Sequence, residues 1–227
     1  MNTEMPTYTV RRAPQPPGGR GDWNDPAWTQ AEPLELAYFF PHSSDHRPRT
    51  RARLLHDDRN LYVLFHVADR YVRSQVTEYQ GMVCRDSCVE FFVKPRADQG
   101  YFNFEINAGG SMLLYHIPHR DTWTGKLENA QPVPWELGQT VKIHHSLPAR
   151  IEPEIAQPTD WTIEYTLPVA LLEQYVGPLA PLAGQTWRAN FYKCGDAASR
   201  PHWGMWSPIR EGRSFHRPDY FGALRFA

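Results

Sequence analysis

Proline recurs 21 times in 227 residues. Each one fixes φ and removes a backbone donor, so it interrupts helices and is kept out of central strands. A chain cut this often is built from short elements joined by stiff loops. Between the prolines the sequence is rich in rings, with 8 Trp, 11 Tyr and 11 Phe. Rings favour pleated, half-buried surfaces. Together these features predict many short strands and little helix.

The strands can be placed by alternation and turn chemistry. Residues 5–12 alternate weakly and are expected as an edge strand, followed by a Pro/Gly loop over 14–22. Residues 34–40 are a further strand candidate. Apolar-rich runs at 51–56 and 61–69 flank the polar turn Asp57-Asp58-Arg59-Asn60 and read as a hairpin. Strands at 88–93, 101–107 and 111–117 follow and are expected to continue from that hairpin as one antiparallel meander. Further strands are expected at 140–147, 160–167, 186–194, 201–207 and 224–226. Residues 168–175 form the one convincing helix, with proline at its first turn. No internal repeat or linker between two cores is visible. The expectation is therefore one domain over residues 1–227, with residues 1–20 supplying the edge strand and Pro/Gly loop. Its fold class is all-β, a two-sheet antiparallel β-sandwich of about ten strands with one short helix and long loops.

Charge narrows the partners. The formal net charge is −1, so no positive field recruits nucleic acid or an anionic membrane surface. No stretch approaches the roughly 20 apolar residues of a membrane span. The opening residues lack a basic region followed by an apolar run, so the chain reads as cytoplasmic unless a secretion leader has been removed. Three cysteines, at 84, 88 and 194, make an odd number and match no zinc spacing.

Three groups of residues could carry chemistry. On residues 101–107, Asn103, Glu105 and Asn107 share one face, and Phe102, Phe104 and Ile106 share the other. The polar face is either solvated or a concave surface that reads hydroxyl-rich ligands, and Glu90 on the preceding strand adds a carboxylate. Among the tryptophans, Trp28, Trp161 and Trp187 fall in element positions and are expected in the core. Trp123, Trp135, Trp203 and Trp206 lie in or beside loops, where an indole can stack on a sugar ring. Lastly, Asp57, Asp58, Asp69 and Asp86 are loop-end carboxylates of the kind that bind calcium through hard oxygens, although turn chemistry accounts equally well for the first two.

Several short pieces recur in family order over roughly residues 20–227. They are Asp58-Arg59-Asn60-Leu61-Tyr62-Val63, Asp86-Ser87-Cys88-Val89-Glu90-Phe91-Phe92 and residues 101–107 before the double glycine. Downstream come Trp187-Arg188-Ala189-Asn190-Phe191-Tyr192, Trp206-Ser207-Pro208 and the ending Phe215-His216-Arg217-Pro218-Asp219-Tyr220-Phe221-Gly222. The ordered set resembles carbohydrate-binding module family 9, in its stand-alone bacterial branch. That resemblance implies a β-sandwich, structural calcium in some members, and a terminal sugar clamped between two Trp rings. Trp206 stands at one clamp position. The other position holds Val83, for which Tyr79 or Trp123 would have to substitute. Asn107 matches the polar part of the site, Glu105 stands where a basic residue is expected, and Tyr192 replaces a polar amide. Cys88 is an extra residue in the usual Asp-Ser-Val-Glu run.

The leading expectation is non-catalytic binding of a mono- or oligosaccharide through Trp206, Trp203, Glu105, Asn107, Tyr192 and Asp86. No cofactor is required, and calcium at Asp57, Asp58 and Asp69 is the expected metal. By the resemblance, the setting is glycoside catabolism, xylan included, and hydrolysis of endoxylanase type is expected of multidomain enzymes that carry such modules. Two alternatives stand beside it. One is a haem-b electron-transfer domain using Met82, Met112 or Met205 with His116 or His202. The other is a glycosidase using Glu90 and Glu105.

Overall fold

A computed structural model describes residues 5–120 and 127–227. The principal strands are β1 (Thr7–Arg12), β2 (Arg49–His56), β3 (Asn60–Asp69), β4 (Cys88–Lys94), β5 (Tyr101–Asn107), β6 (Met112–Ile117), β7 (Lys142–His145), β8 (Thr159–Pro168), β9 (Thr186–Cys194), β10 (Trp203–Met205) and β11 (Gly222–Phe226). One sheet runs β6-β5-β4-β9-β11-β1, with β10 on the upper half of β9. The second runs β1-β2-β3-β8-β7. The helices are α1 (Trp135–Gly138) and α2 (Val169–Val176), and no helix among the described residues is long and apolar enough to cross a membrane.

The two-sheet sandwich is as expected, and two connections within it differ from the sequence reading. The β2–β3 hairpin does not continue into the β4–β5–β6 meander: β3 pairs with β2 and β8, whereas β4 pairs with β5 and β9. The chain crosses between the sheets at residues 70–87, where polar, irregular sequence conceals the change of layer. β1 is no edge strand either. Thr7–Val10 run parallel to Ala223–Phe226, and Arg11 and Arg12 then pair parallel with Leu55 and His56, so β1 stitches the sheets together. Its pattern is weak because consecutive parts of it answer to different sheets.

The turn chemistry was legible. At the hairpin tip Asp58 takes φ 69°, and Asp57 Oδ1 accepts from the backbone N–H of Arg59 and Asn60 at 3.0 and 2.7 Å. Helix α2 follows Pro168 and ends at Gly177, whose φ of 73° favours glycine. The segment 34–40 shrinks to two bridges, Leu34–Glu35 on β2 and Tyr38–Phe39 on β10. Within 118–138, Gln131–Pro132 extends the first sheet beside β6 and α1 adds a helical turn.

Between the sheets the core is aromatic and aliphatic. Phe91 stacks on Phe191 at 4.8 Å between centroids, and Phe65 of the opposite sheet reaches Phe191 at 6.0 Å. Burying each such ring stabilises the fold by roughly 1.5–3 kcal/mol. One ion pair also crosses this layer: Lys193 Nζ lies 3.3 Å from Asp69 Oδ2, with both side chains fully buried. A second apolar cluster, including Phe92, Tyr101, Tyr192 and Phe215, covers the outer face of the first sheet. That outer layer positions the site.

Candidate functional site

Alternation places Cys88, Glu90 and Phe92 of β4 on the outer face of the first sheet. The ladders set Glu90 opposite Glu105 and Tyr192, Phe92 opposite Asn103, and Cys88 opposite Cys194. Loops rise around this patch and leave a cavity of about 340 Å³. Glu90, Asn103 and Glu105 lie among its floor residues, with Trp203, Asp196, Met82 and Cys84 in its walls. The polar face of β5 is thus roofed and concave rather than solvated.

Its electrostatics follow from burial. Glu105 is 6% exposed and accepts from Asn103 Nδ2 at 2.7 Å. Burial pushes the Glu105 carboxyl up, the Asn103 amide opposes this, and Asp196 pushes it further up. Glu90 is raised by burial and then by Glu105, and Cys194 Sγ donates to its Oε1 at 3.1 Å. Asp196 is raised by burial and held partly in check by the Trp203 indole, whose Nε1 donates to Oδ1 at 2.7 Å. Carboxyls that keep their protons both donate and accept hydrogen bonds, which suits hydroxyl ligands.

The expected ligand residues divide. Glu105 and Trp203 line the cavity. Tyr192 lies behind its wall, fully buried, stacked on Phe215 at 4.0 Å with its hydroxyl donating to Phe215 O at 3.0 Å. Asp86 and Asn107 hold the adjoining loop: Asp86 Oδ2 accepts from Gln75 N, Val76 N and Asn107 Nδ2 at 2.9, 2.9 and 3.0 Å. Arg73 Nε donates to Asp86 Oδ1 at 3.1 Å. This lock presents Met82 and Cys84 to the cavity, so both residues position the site without lining it. Trp206 is 7% exposed and packs edge-on against Phe191 at 5.7 Å in the core between the sheets. The reason is parity: Trp203 and Met205 share the outer face of β10, and the next residue turns inward.

At the second clamp position Val83 is fully buried beneath the loop. Of its two possible substitutes, Trp123 lies outside the described residues. Tyr79 lines a different cavity of about 460 Å³ beside Trp135, and its hydroxyl donates to Val133 O at 2.7 Å. That second cavity is larger, but it lacks the converging carboxyls of the first. Asn103, which the β5 alternation set on the hydroxyl-reading face, lines the cavity as read. Sequence reasoning missed Asp196 and Cys84 and weighed Met82 only for haem; these three reach the cavity from loops without local pattern.

The aspartates expected to bind calcium do not converge. Asp57 and Asp58 flank the start of β3 and Asp69 is its last residue, about 30 Å away at 3.3 Å per residue. Asp57 is occupied by its own turn and by Tyr62, Asp58 by Arg12 and Leu182 N, and Asp69 by Lys193, His46 and Arg70 N. Their residues do not fit a shared calcium site. Of the Met and His residues weighed for haem, three have other partners: Met205 Sδ accepts from Ile209 N, His202 Nε2 meets Lys193 Nζ at 2.7 Å and His116 Nε2 meets Gln99 O at 2.9 Å.

Comparison with known proteins agrees with this architecture. The profile described as carbohydrate-binding family 9 matches residues 31–226. A solved structure of a candidate carbohydrate-binding protein from Bacteroides uniformis is 28% identical, covers 99% of this chain and 100% of its own, and superposes with a TM-score of 0.86. A family 9 module from Caldicellulosiruptor kristjanssonii in complex with cellotriose is 14% identical, with 97% and 93% coverage and a TM-score of 0.63. A family 9 module from the same organism in complex with glucose gives 14% identity, 96% and 95% coverage and a TM-score of 0.60. No curated protein matches. The profile spans most of the chain and the sandwich is the one its relatives share; the chain belongs to carbohydrate-binding family 9.

Proposed function

We propose that this chain binds the end of a saccharide, one or two sugar units, in the cavity above Glu90 and Glu105, without cleaving it. One observation carries the reading: an indole and three carboxyls with raised affinity for protons converge on one concave, half-open space. Trp203 supplies the flat apolar face on which a pyranose stacks, and its orientation is set by the Asp196 hydrogen bond. Glu105, Asn103 and Glu90 read the hydroxyls from the strand side. Met82, 58% exposed, lines the same cavity and offers an apolar side chain in place of a second ring. The related modules in complex with glucose and cellotriose make those two sugars the first ligands to try, with xylose oligomers next. Trp206 serves the core, and Asp86, Asn107 and Tyr192 shape the walls.

Glu90 and Glu105 are directly opposed on neighbouring strands within one buried patch, and the Glu105 carboxylate adds to burial in raising Glu90. They serve as recognition groups in this reading. Calorimetric titration with glucose, cellotriose and xylotriose tests it. Saturable binding that Glu105→Ala weakens supports it; equal binding by both proteins, or release of an aryl aglycone on incubation with aryl glycosides, contradicts it.

A further inference from the structure

Cys84 and Cys194 line one cavity and Cys88 pairs across the strands with Cys194, although 84 and 88 lie far from 194 in sequence. Cys88 and Glu90 are two residues apart on β4 and so point to the same side. The β4–β9 ladder sets Cys194 directly opposite Cys88, at the end of seven consecutive residue pairs that fix the register. Cys194 Sγ also lies 3.6 Å from Cys84 O, which ties the third cysteine's loop to the same point. The two sulfurs of Cys88 and Cys194 and a carboxylate oxygen of Glu90 all lie within 4.8 Å of one another.

We propose that Cys88, Glu90 and Cys194 form a binding site for a borderline-soft divalent cation of the zinc type. Tetrahedral zinc with sulfur at about 2.3 Å places two thiolates about 3.8 Å apart, a separation that falls inside the 4.8 Å span holding the three donor atoms. Three protein donors leave a fourth position, and here it faces the cavity. Two sulfur donors select zinc or cadmium over calcium and magnesium, which prefer oxygen. The charge balance points the same way. Glu90, Glu105 and Asp196 line the cavity against one guanidinium, Arg213, while Lys193 Nζ turns to Asp69 at 3.3 Å and His202 at 2.7 Å on the other face of β9. A dication displaces the two thiol protons to solvent, and the Glu90 proton where the carboxyl carries one, and the three anionic donors around it leave one net negative charge. This inference does not rest on sugar binding.

The test is titration of the reduced full-length chain with cadmium chloride, followed by the ultraviolet thiolate-to-cadmium charge-transfer band. One equivalent with the amplitude of two thiolates, displaced by zinc, is the expected result. Cys88→Ser and Cys194→Ser each remove about half of that amplitude. Each also weakens zinc binding by more than about tenfold, the low end of what loss of even an outer-shell partner does; Cys84→Ser leaves the band in place. Absence of the band in the wild type overturns the proposal whether or not the variants fold. A band that persists unchanged in both serine variants overturns it too, by assigning the thiolate donor to Cys84.

Discussion

Trp206 and Trp203 stand three residues apart and are predicted to fail in opposite ways when truncated. Trp206 is 7% exposed, meets Phe191 edge-on, and presses against Gly222, where a Cβ would come within 2.5 Å of its ring. Truncating a buried Trp to alanine costs about 3–5 kcal/mol, because the lost transfer energy adds to an unfilled cavity. For a chain of this size each kcal/mol lowers Tm by about 2–4 °C, so Trp206→Ala should lower it by roughly 6–20 °C. Trp203 is only half-buried at the cavity wall, so its truncation should lower Tm by a few degrees at most. Loss of its stacking face should instead cost about 2 kcal/mol of sugar binding, roughly thirtyfold in Kd. Thermal denaturation followed by circular dichroism reads the first effect, and calorimetric titration of the folded variants reads the second. A Trp206→Ala protein with unchanged Tm and abolished sugar binding would refute the reasoning.

Three further outcomes follow from the buried polar groups. Asp69→Ala leaves Lys193 buried without its carboxylate and should destabilise the chain by about 3–5 kcal/mol in urea unfolding. Stability should fall as pH drops from about 6.5. His202, desolvated and beside Lys193, is held down to about 3 from an ordinary 6.5, so the unfolded chain takes up its proton first. Asp69, which Lys193 and His46 hold below the carboxylate range despite its burial, withdraws its contribution once pH falls below about 4; a Tm that is flat from neutral pH to about 4 would contradict the first, and one that is flat below about 4 the second. Asp86→Ala frees two backbone donors and Arg73 at once, and should lower Tm and weaken sugar binding together by releasing the loop that carries Met82 and Cys84. Unchanged sugar affinity in that variant would separate the loop from the site.

Much of the sandwich was legible because strand alternation is a local signal. Phe102, Phe104 and Ile106 face the core and Asn103 and Glu105 face the cavity, as the spacing of β5 requires. What could not be read was assignment to layers. The β2–β3 hairpin and the β4–β6 meander look continuous in sequence, yet they belong to opposite sheets, because the crossing at 70–87 is held by Asp86 and Asn107 rather than by an apolar pattern. The same limit applied to the site. Which of two tryptophans faces outward depends on where β10 starts, a parity that one residue reverses. Cys88 and Cys194 meet only through the cross-strand register, and Asp196 reaches the cavity from a loop whose length alone carries no instruction.

The most direct test of saccharide binding at this cavity is a two-dimensional NMR titration of the amide and indole N–H signals with glucose and with cellotriose. Binding as proposed shifts the Trp203 indole N–H, now donated to Asp196, together with the backbone signals of Glu90, Asn103, Glu105 and Asp196. Shifts confined to Trp135 and Tyr79 at the second cavity, or no shifts with either sugar, would contradict it.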